Sequence, residues 1–433
     1  MSPHVTPTVA FVGMTHLGLV SATATASKGF SVIGLDDSDE LVHRIKEGDL
    51  PVIEPDLKSL IAENGNRQRF TSDFSLLEEA NVVYIAPDVP TDTKGASDLS
   101  SINALVSRVI DCLATNAILI ILCQVPPGFT RKLNMDRSRL FYQVETLIFG
   151  RAVEQATKPE RLIVGCSNPQ HPLPQFYQSI LEAHGCPILP MRYESAELAK
   201  IAINMCLVAS ISVANTMSEI CEQIGADWAE IVPSLKLDRR IGKHSYLLPG
   251  LGLGGGNLER DLASIISIGD TAHTDTSVPK AWVKNSQHRR DWAVREVKAA
   301  HLSEARLAVW GLTYKENTHS TKNSPALATL AKLPNAALRV HDPVVSAEVV
   351  DHASVIGLSD PLDTLKESDA LLILTPWQVY ADIPPLKISE HMSGQLIIDP
   401  YRVLSPLECQ AAGLDWRTLG SPSRSQNYNE DAC

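Results

Sequence analysis

Two stretches of the 433-residue chain place chemistry-bearing residues at suggestive spacings. The first, Gly13-Met14-Thr15-His16-Leu17-Gly18, follows the apolar run Val9 to Val12 and opens a helical pattern, and Asp36 lies 23 residues beyond Gly13. A glycine turn at a helix start offers backbone amides to a pyrophosphate, and an acid at the end of the next strand accepts from ribose hydroxyls. Thr15 stands where that fingerprint has its middle glycine. The turn therefore reads either as a dinucleotide site or as a turn that only packs helix on strand. In the binding reading Asp36 repels a 2′-phosphate and selects NAD over NADP. The second stretch, Gly250-Leu251-Gly252-Leu253-Gly254-Gly255-Gly256-Asn257-Leu258-Glu259-Arg260-Asp261, is either a flexible linker or a loop that grips a polar ligand with its backbone. The polar cluster Asn257, Glu259, Arg260 and Asp261, which opens a new helix where a linker would have serine, favours the grip.

Other chemistries are excluded by composition. Eight cysteines are scattered without CxxC or Cys/His ligand spacing, so buried reduced thiols are expected and no metal. A net charge of −12 works against a nucleic-acid role, which needs a basic face. The polar start Met1 to Thr8 has no signal-peptide pattern, and no run reaches the roughly 18 apolar residues of a membrane helix. A soluble, cytoplasmic protein without a membrane partner is expected.

The elements that position these stretches follow from apolar patterning. Val9 to Val12, the helical stretch Leu17 to Lys28 and Ser31 to Leu35 form a βαβ unit. Further runs at Val82 to Ala86, Ala117 to Cys123 and Arg161 to Val164 alternate with helices such as Asp98 to Leu113, which predicts a doubly wound parallel sheet. Ser195 to Gln223 reads as one long apolar helix stopped at Gly225, with more helices from Trp228 and from Val278 through Ala300. A helix apolar nearly all round packs on something, and a second subunit is the expected partner. Strand and helix alternation resumes with Leu307 to Trp310, Leu338 to Asp342, Ala370 to Thr375 and Leu396 to Asp399. The fold class is α/β: two Rossmann-like doubly wound domains, 1–190 and 301–420, joined by a central helical dimerisation domain, 191–300. The polar stretch Gly420 to Cys433 is expected to be disordered.

With these motifs in order, the chain resembles the UDP-glucose/GDP-mannose dehydrogenase family of nucleotide-sugar 6-dehydrogenases, to about Arg402. The matching residues are Glu54-Pro55, Val89-Pro90-Thr91 with Asp98-Leu99-Ser100, Val125-Pro126-Pro127-Gly128 and Glu145 before Gly150. They continue with Ala196-Glu197-Leu198-Ala199-Lys200, Asn204, Arg240-Ile241-Gly242, the glycine loop ending in Asp261, Gly311-Leu312-Thr313-Tyr314-Lys315, Ser324-Pro325-Ala326, Asp342-Pro343 and Thr375-Pro376-Trp377.

The resemblance implies NAD as cofactor, a nucleotide sugar as substrate with UDP favoured, a homodimer, and a place in polysaccharide or natural-product sugar biosynthesis. It implies cofactor contacts at Gly13, Thr15, His16, Leu17, Gly18, Asp36, Thr91 and Lys322. Substrate contacts are implied at Gly252, Gly254 and Lys315, and at Arg240 from the other subunit. The family oxidises a C6 alcohol twice, and a cysteine four residues before the loop's final Asp traps the aldehyde. Here that residue is Asn257, whose amide cannot attack a carbonyl as a thiolate does.

Gln124 stands at the family's threonine and Phe149 at the second glutamate of its Glu-x-x-x-Glu motif, although Glu145 stays. The first hydride transfer keeps its parts: Lys200 and Asn204, four apart on a helix, face one side and can converge on one oxygen, and Asp261 can hold a water beside Lys200 as a proton relay. One two-electron oxidation to the aldehyde is therefore expected. The alternatives are slow passage to the acid through a hydrated aldehyde, and a catalytically retired binding protein. A relocated thiol is disfavoured, since Cys206 lies about 240° round the helix from Lys200 and Cys123 faces away from Gln124 on its strand.

Overall fold

The structure, a computed structural model, describes residues 6–89 and 98–422. Thr91 and the polar tail beyond 422 lie outside them. The chain divides into two compact units, Met1–Ile203 and Asn204–Cys433.

The strands of the first unit are β1 (Thr8–Val12), β2 (Ser31–Leu35), β3 (Gln68–Thr71), β4 (Val82–Ile85), β5 (Ile118–Ile121), β6 (Leu140–Gln143), β7 (Leu162–Cys166) and β8 (Ile188–Arg192). They form one sheet in the order β3-β2-β1-β4-β5-β6-β7-β8. Val9 through Val12 are all buried, as a strand covered by helices on both faces must be. In register, Val12 sits opposite Leu35 of β2 and Ile85 of β4. The residues that follow, Gly13, Asp36 and Ala86, therefore leave the sheet along one edge. That edge includes the point between β1 and β4 where the strand order reverses, the usual ligand crevice of such sheets. One departure from an all-parallel sheet is the antiparallel pairing of β6 with β7.

The second unit begins within the helix Tyr193–Ile224 and continues through helices Trp228–Leu237, Asn257–Thr271, Ser277–Arg290 and Trp292–Ala299, with no strand before Arg306. The stretch from Val278 to Ala300 is two helices that meet at Asp291. Six strands follow: β9 (Arg306–Trp310), β10 (Ala337–His341), β11 (Val355–Gly357), β12 (Ala370–Ile373), β13 (Leu396–Ile398) and β14 (Asp415–Arg417). Their order, β11-β10-β9-β12-β13-β14, repeats that of the first six strands of the other unit. The likeness extends to one hydrogen bond. Leu312 N donates to Asp342 Oδ2 at 2.7 Å, as Met14 N donates to Asp36 Oδ2 at 2.7 Å.

The helix Tyr193–Ile224 corrects one expectation, because by length and composition alone it is able to cross a membrane. Only 28% of its most apolar stretch is buried within the chain. Leu207, Val213, Met217, Ile220 and Ile224 stay exposed on it. From Val213 their spacing is four, three and four, so they line one side of the helix.

Candidate active site

The fingerprint turn is a tight one. A Cβ on Gly18 would lie 1.8 Å from the carbonyl oxygen of Gly13, so helix His16–Ser27 packs directly on the turn. Asp36, 8% exposed, accepts from Met14 N through Oδ2 and from Ser38 N through Oδ1 at 3.0 Å. A carboxylate offers about four lone-pair positions, so ribose hydroxyls still find acceptors there. The residues after it, Asp37, Ser38, Asp39 and Glu40, include no cation for a 2′-phosphate. The fingerprint fits NAD at its ribose. Its helix start is more crowded: Asp88 Oδ2 accepts from His16 N at 3.1 Å, and Asp88 N donates to Thr15 Oγ1 at 2.8 Å. The His16 ring turns inward, with Nε2 2.8 Å from Glu54 Oε1 and its face stacked on Phe149 at 4.1 Å. Glu54 in turn accepts from Gly150 N and Ala152 N, which ties the fingerprint helix to the loop after Glu145.

NAD is therefore expected to bind more tightly than NADP, and Asp36→Ala to narrow the ratio of their dissociation constants. Because the substitution also frees the Met14 amide, neither affinity alone isolates the ribose contact. The ratio measured by titration is the diagnostic quantity, and equal affinities in the unaltered protein contradict the role given to Asp36.

Also in the first unit, Lys200 Nζ lies 3.2 Å from Glu145 Oε2, with the two side chains 13% and 17% exposed. A nearly enclosed ion pair holds its charges in fixed positions with little screening by solvent. Glu197, one turn before Lys200, was not singled out by residue type, although it stands inside the Ala196–Lys200 motif. It is fully buried and accepts from the amides of Gly128 and Thr130 at 2.5 and 2.9 Å. Burial raises its carboxyl above the usual range against the lowering pull of those bonds. It fastens the loop after Gln124 to the helix that carries Lys200. Cys123 is fully buried, and burial pushes its thiol up to about 12, which makes it inert as a nucleophile.

In the second unit the glycine run proves to be a built loop. Gly250 N donates to Asn215 Oδ1 and Leu253 N to Ser286 Oγ, at 2.9 and 2.8 Å. A Cβ on Gly255, whose φ is +90°, would meet the Tyr314 ring at 2.6 Å, so only glycine lets the loop pass there. Helix Asn257–Thr271 starts directly after it, with Asn257 exposed as its first residue. Asp261, 1% exposed, accepts from Asn204 Nδ2 at 2.5 Å and from Arg260 Nε at 3.1 Å. Glu259 takes Arg290 and Asn323. The Lys322 side chain lies along Gly256, within 3.6 Å of where a Cβ would be.

The loop walls a cavity of about 580 Å³, lined by Gly252, Gly254, Tyr246, Tyr314, Lys315 and Tyr401 among others. That volume suits a nucleotide, with apolar and aromatic walls for the base and cations for phosphate. Buried Asp399 holds one wall by accepting from the amides of Tyr401 and Leu404 and from Trp416 Nε1. Arg240 stands apart from this lining, exposed, with its guanidinium on Asp238.

A doubly wound sheet with a dinucleotide turn at its switch point, together with an enclosed Lys–Glu pair, defines an NAD-dependent dehydrogenase. The comparisons with known proteins narrow the class. Three models of the UDP-glucose/GDP-mannose dehydrogenase family match: its NAD-binding domain over residues 7–182, its central domain over 194–287 and its UDP-binding domain over 308–406.

The chain belongs to this family. It is 27% identical to UDP-glucose 6-dehydrogenase TuaD of Bacillus subtilis, with 96% of this chain and 93% of that protein covered. It is 28% identical to a UDP-glucose 6-dehydrogenase of Pseudomonas aeruginosa, covering 95% and 97%. A UDP-glucose dehydrogenase structure from Pyrobaculum islandicum superposes with a TM-score of 0.82 at 25% identity, over 93% of this chain and 96% of that one. The protein is thus an NAD-dependent oxidoreductase acting on a CH–OH group of a nucleotide sugar, with NAD-binding and UDP-sugar-binding domains.

Proposed function

We propose that this dehydrogenase oxidises the C6 alcohol of a UDP-sugar once and releases the aldehyde. The observation that carries the reading is Asn257, the first residue of its helix, at the position where the family resemblance places the nucleophilic cysteine. No amide replaces a thiolate in covalent capture, and the inert Cys123 offers no substitute.

Asp36 and the fingerprint turn would hold NAD, which would supply the acceptor for the C6 hydride. The Lys200 ammonium stabilises the oxygen as it becomes an alkoxide, and Glu145 at 3.2 Å holds that ammonium in place and receives the hydroxyl proton. Asn204 and Arg260 fix the Asp261 carboxylate. Lys315 and the glycine loop take the nucleotide in the cavity. The exposed apolar line from Val213 to Ile224 supports a homodimer through the helical region 191–300, with Arg240 available to a partner's substrate. Regions 1–190 and 301–420 hold the cofactor and the nucleotide, and the cytoplasm is the place of work.

A mass-spectrometric product assay with NAD and a panel of UDP- and GDP-sugars tests the reading. One NADH per sugar is expected in the fast phase, with the free or hydrated aldehyde as product. Rapid formation of two NADH per sugar, abolished by a thiol reagent, would overturn it. Nucleotide-sugar binding without NADH from any member of the panel would leave a binding protein.

A further inference from the structure

The place a dinucleotide pyrophosphate takes at the fingerprint is held by the chain itself. His16 N, at the first residue of its helix, donates to Asp88 Oδ2 at 3.1 Å, and Asp88 N returns a bond to Thr15 Oγ1 at 2.8 Å. This is the reciprocal pattern of a capping box, made by residues more than 70 positions apart. Thr15 completes it from the position of the fingerprint's middle glycine, so the substitution that weakens the motif is the one that supports the cap. The neighbouring amide, Met14 N, is taken by Asp36. Since the His16 ring is committed to Glu54 and Phe149, that residue has only its backbone to offer a phosphate.

We propose that Asp88 sets dinucleotide affinity at the cofactor site, its carboxylate competing with the pyrophosphate of NAD and NADH for the start of helix His16–Ser27. The proposal rests on NAD occupying the fingerprint. A carboxylate and a pyrophosphate cannot share one amide, and their like charges repel at such a distance. Binding therefore requires the Asp88 side chain to turn away, which holds dinucleotide affinity down. Asp88 is exposed, so the penalty is moderate and screened by salt. For an enzyme that releases its product after a single hydride transfer, a weaker hold on NADH shortens the wait between turnovers.

The test compares the full-length protein with Asp88→Asn and Asp88→Ala, by NADH fluorescence titration and by calorimetry with ADP-ribose and adenosine. Because Asp88 is exposed, neither variant endangers folding. Both variants are expected to bind NADH and ADP-ribose about tenfold more tightly at low salt, with a smaller gain at high salt, and adenosine without change. Unchanged or weakened NADH and ADP-ribose binding in both variants overturns the proposal alone. So does an equal gain for adenosine, which would mean a loosened turn and not relieved charge. Absence of dinucleotide binding by all three proteins overturns the assignment of NAD to the fingerprint and this proposal with it.

Discussion

Lys200→Ala is expected to lower turnover by about a hundredfold or more while leaving nucleotide-sugar affinity nearly unchanged. The bound alcohol is neutral, and negative charge appears on its oxygen only as the hydroxyl proton leaves on the way to hydride transfer, so an ammonium contributes mainly to the transition state. Its pairing with Glu145 at 3.2 Å, with both side chains mostly enclosed, fixes the charge in advance of the reaction. Alanine also leaves the Glu145 carboxylate without that partner, so thermal stability must be measured beside the rate. A rate loss with little change in melting temperature assigns Lys200 to chemistry. Lys200→Arg should rescue poorly, because a guanidinium is broad and flat where a compact charge is needed. A variant that turns over normally, or whose loss lies wholly in KM, contradicts the role.

Where apolar runs were continuous, the fold was legible in the sequence. Ser31 to Leu35 is read at its observed bounds, and Val9 to Val12 within one residue, because buried parallel strands are apolar without interruption. The segments Gln68–Thr71, Ile188–Arg192, Val355–Gly357 and Asp415–Arg417 give no such signal, since each lies at a sheet end and keeps polar or exposed positions. The direction of Leu140–Gln143 against Leu162–Cys166 was equally hidden, since nearly every side chain in both strands is buried whichever way they run. At the site, local spacing exposed the fingerprint and the glycine run, and the family motifs pointed to Lys200 and Glu145. The contacts that define their surroundings are long-range: Asp88 on His16, Glu197 on Gly128, Glu54 on Gly150. No periodicity reports a carboxylate that caps a helix from another loop.

Asn257→Cys is expected to convert a releasing enzyme into one that traps itself. A thiol there would open helix Asn257–Thr271 with the Lys322 side chain beside the preceding glycine, and a helix start with a nearby cation favours the thiolate. The aldehyde left by the first hydride transfer would accept the thiolate at its carbonyl carbon and form a thiohemiacetal. A second NAD would take the hydride from that carbon, leaving a thioester and a second NADH. Hydrolysis needs an activated water, and Gln124 and Phe149 occupy the positions where the family resemblance places a hydroxyl and a carboxylate. The acyl-enzyme should therefore accumulate. The expected record is a burst of two NADH per subunit followed by arrest, with the intact-protein mass raised by the nucleotide-uronyl group. Continued release of two NADH per sugar with free acid would show that water is activated by other residues. If the variant still gives one NADH per sugar and no covalent species, residue 257 does not face the reacting carbon, and Asn257 is not the reason oxidation stops.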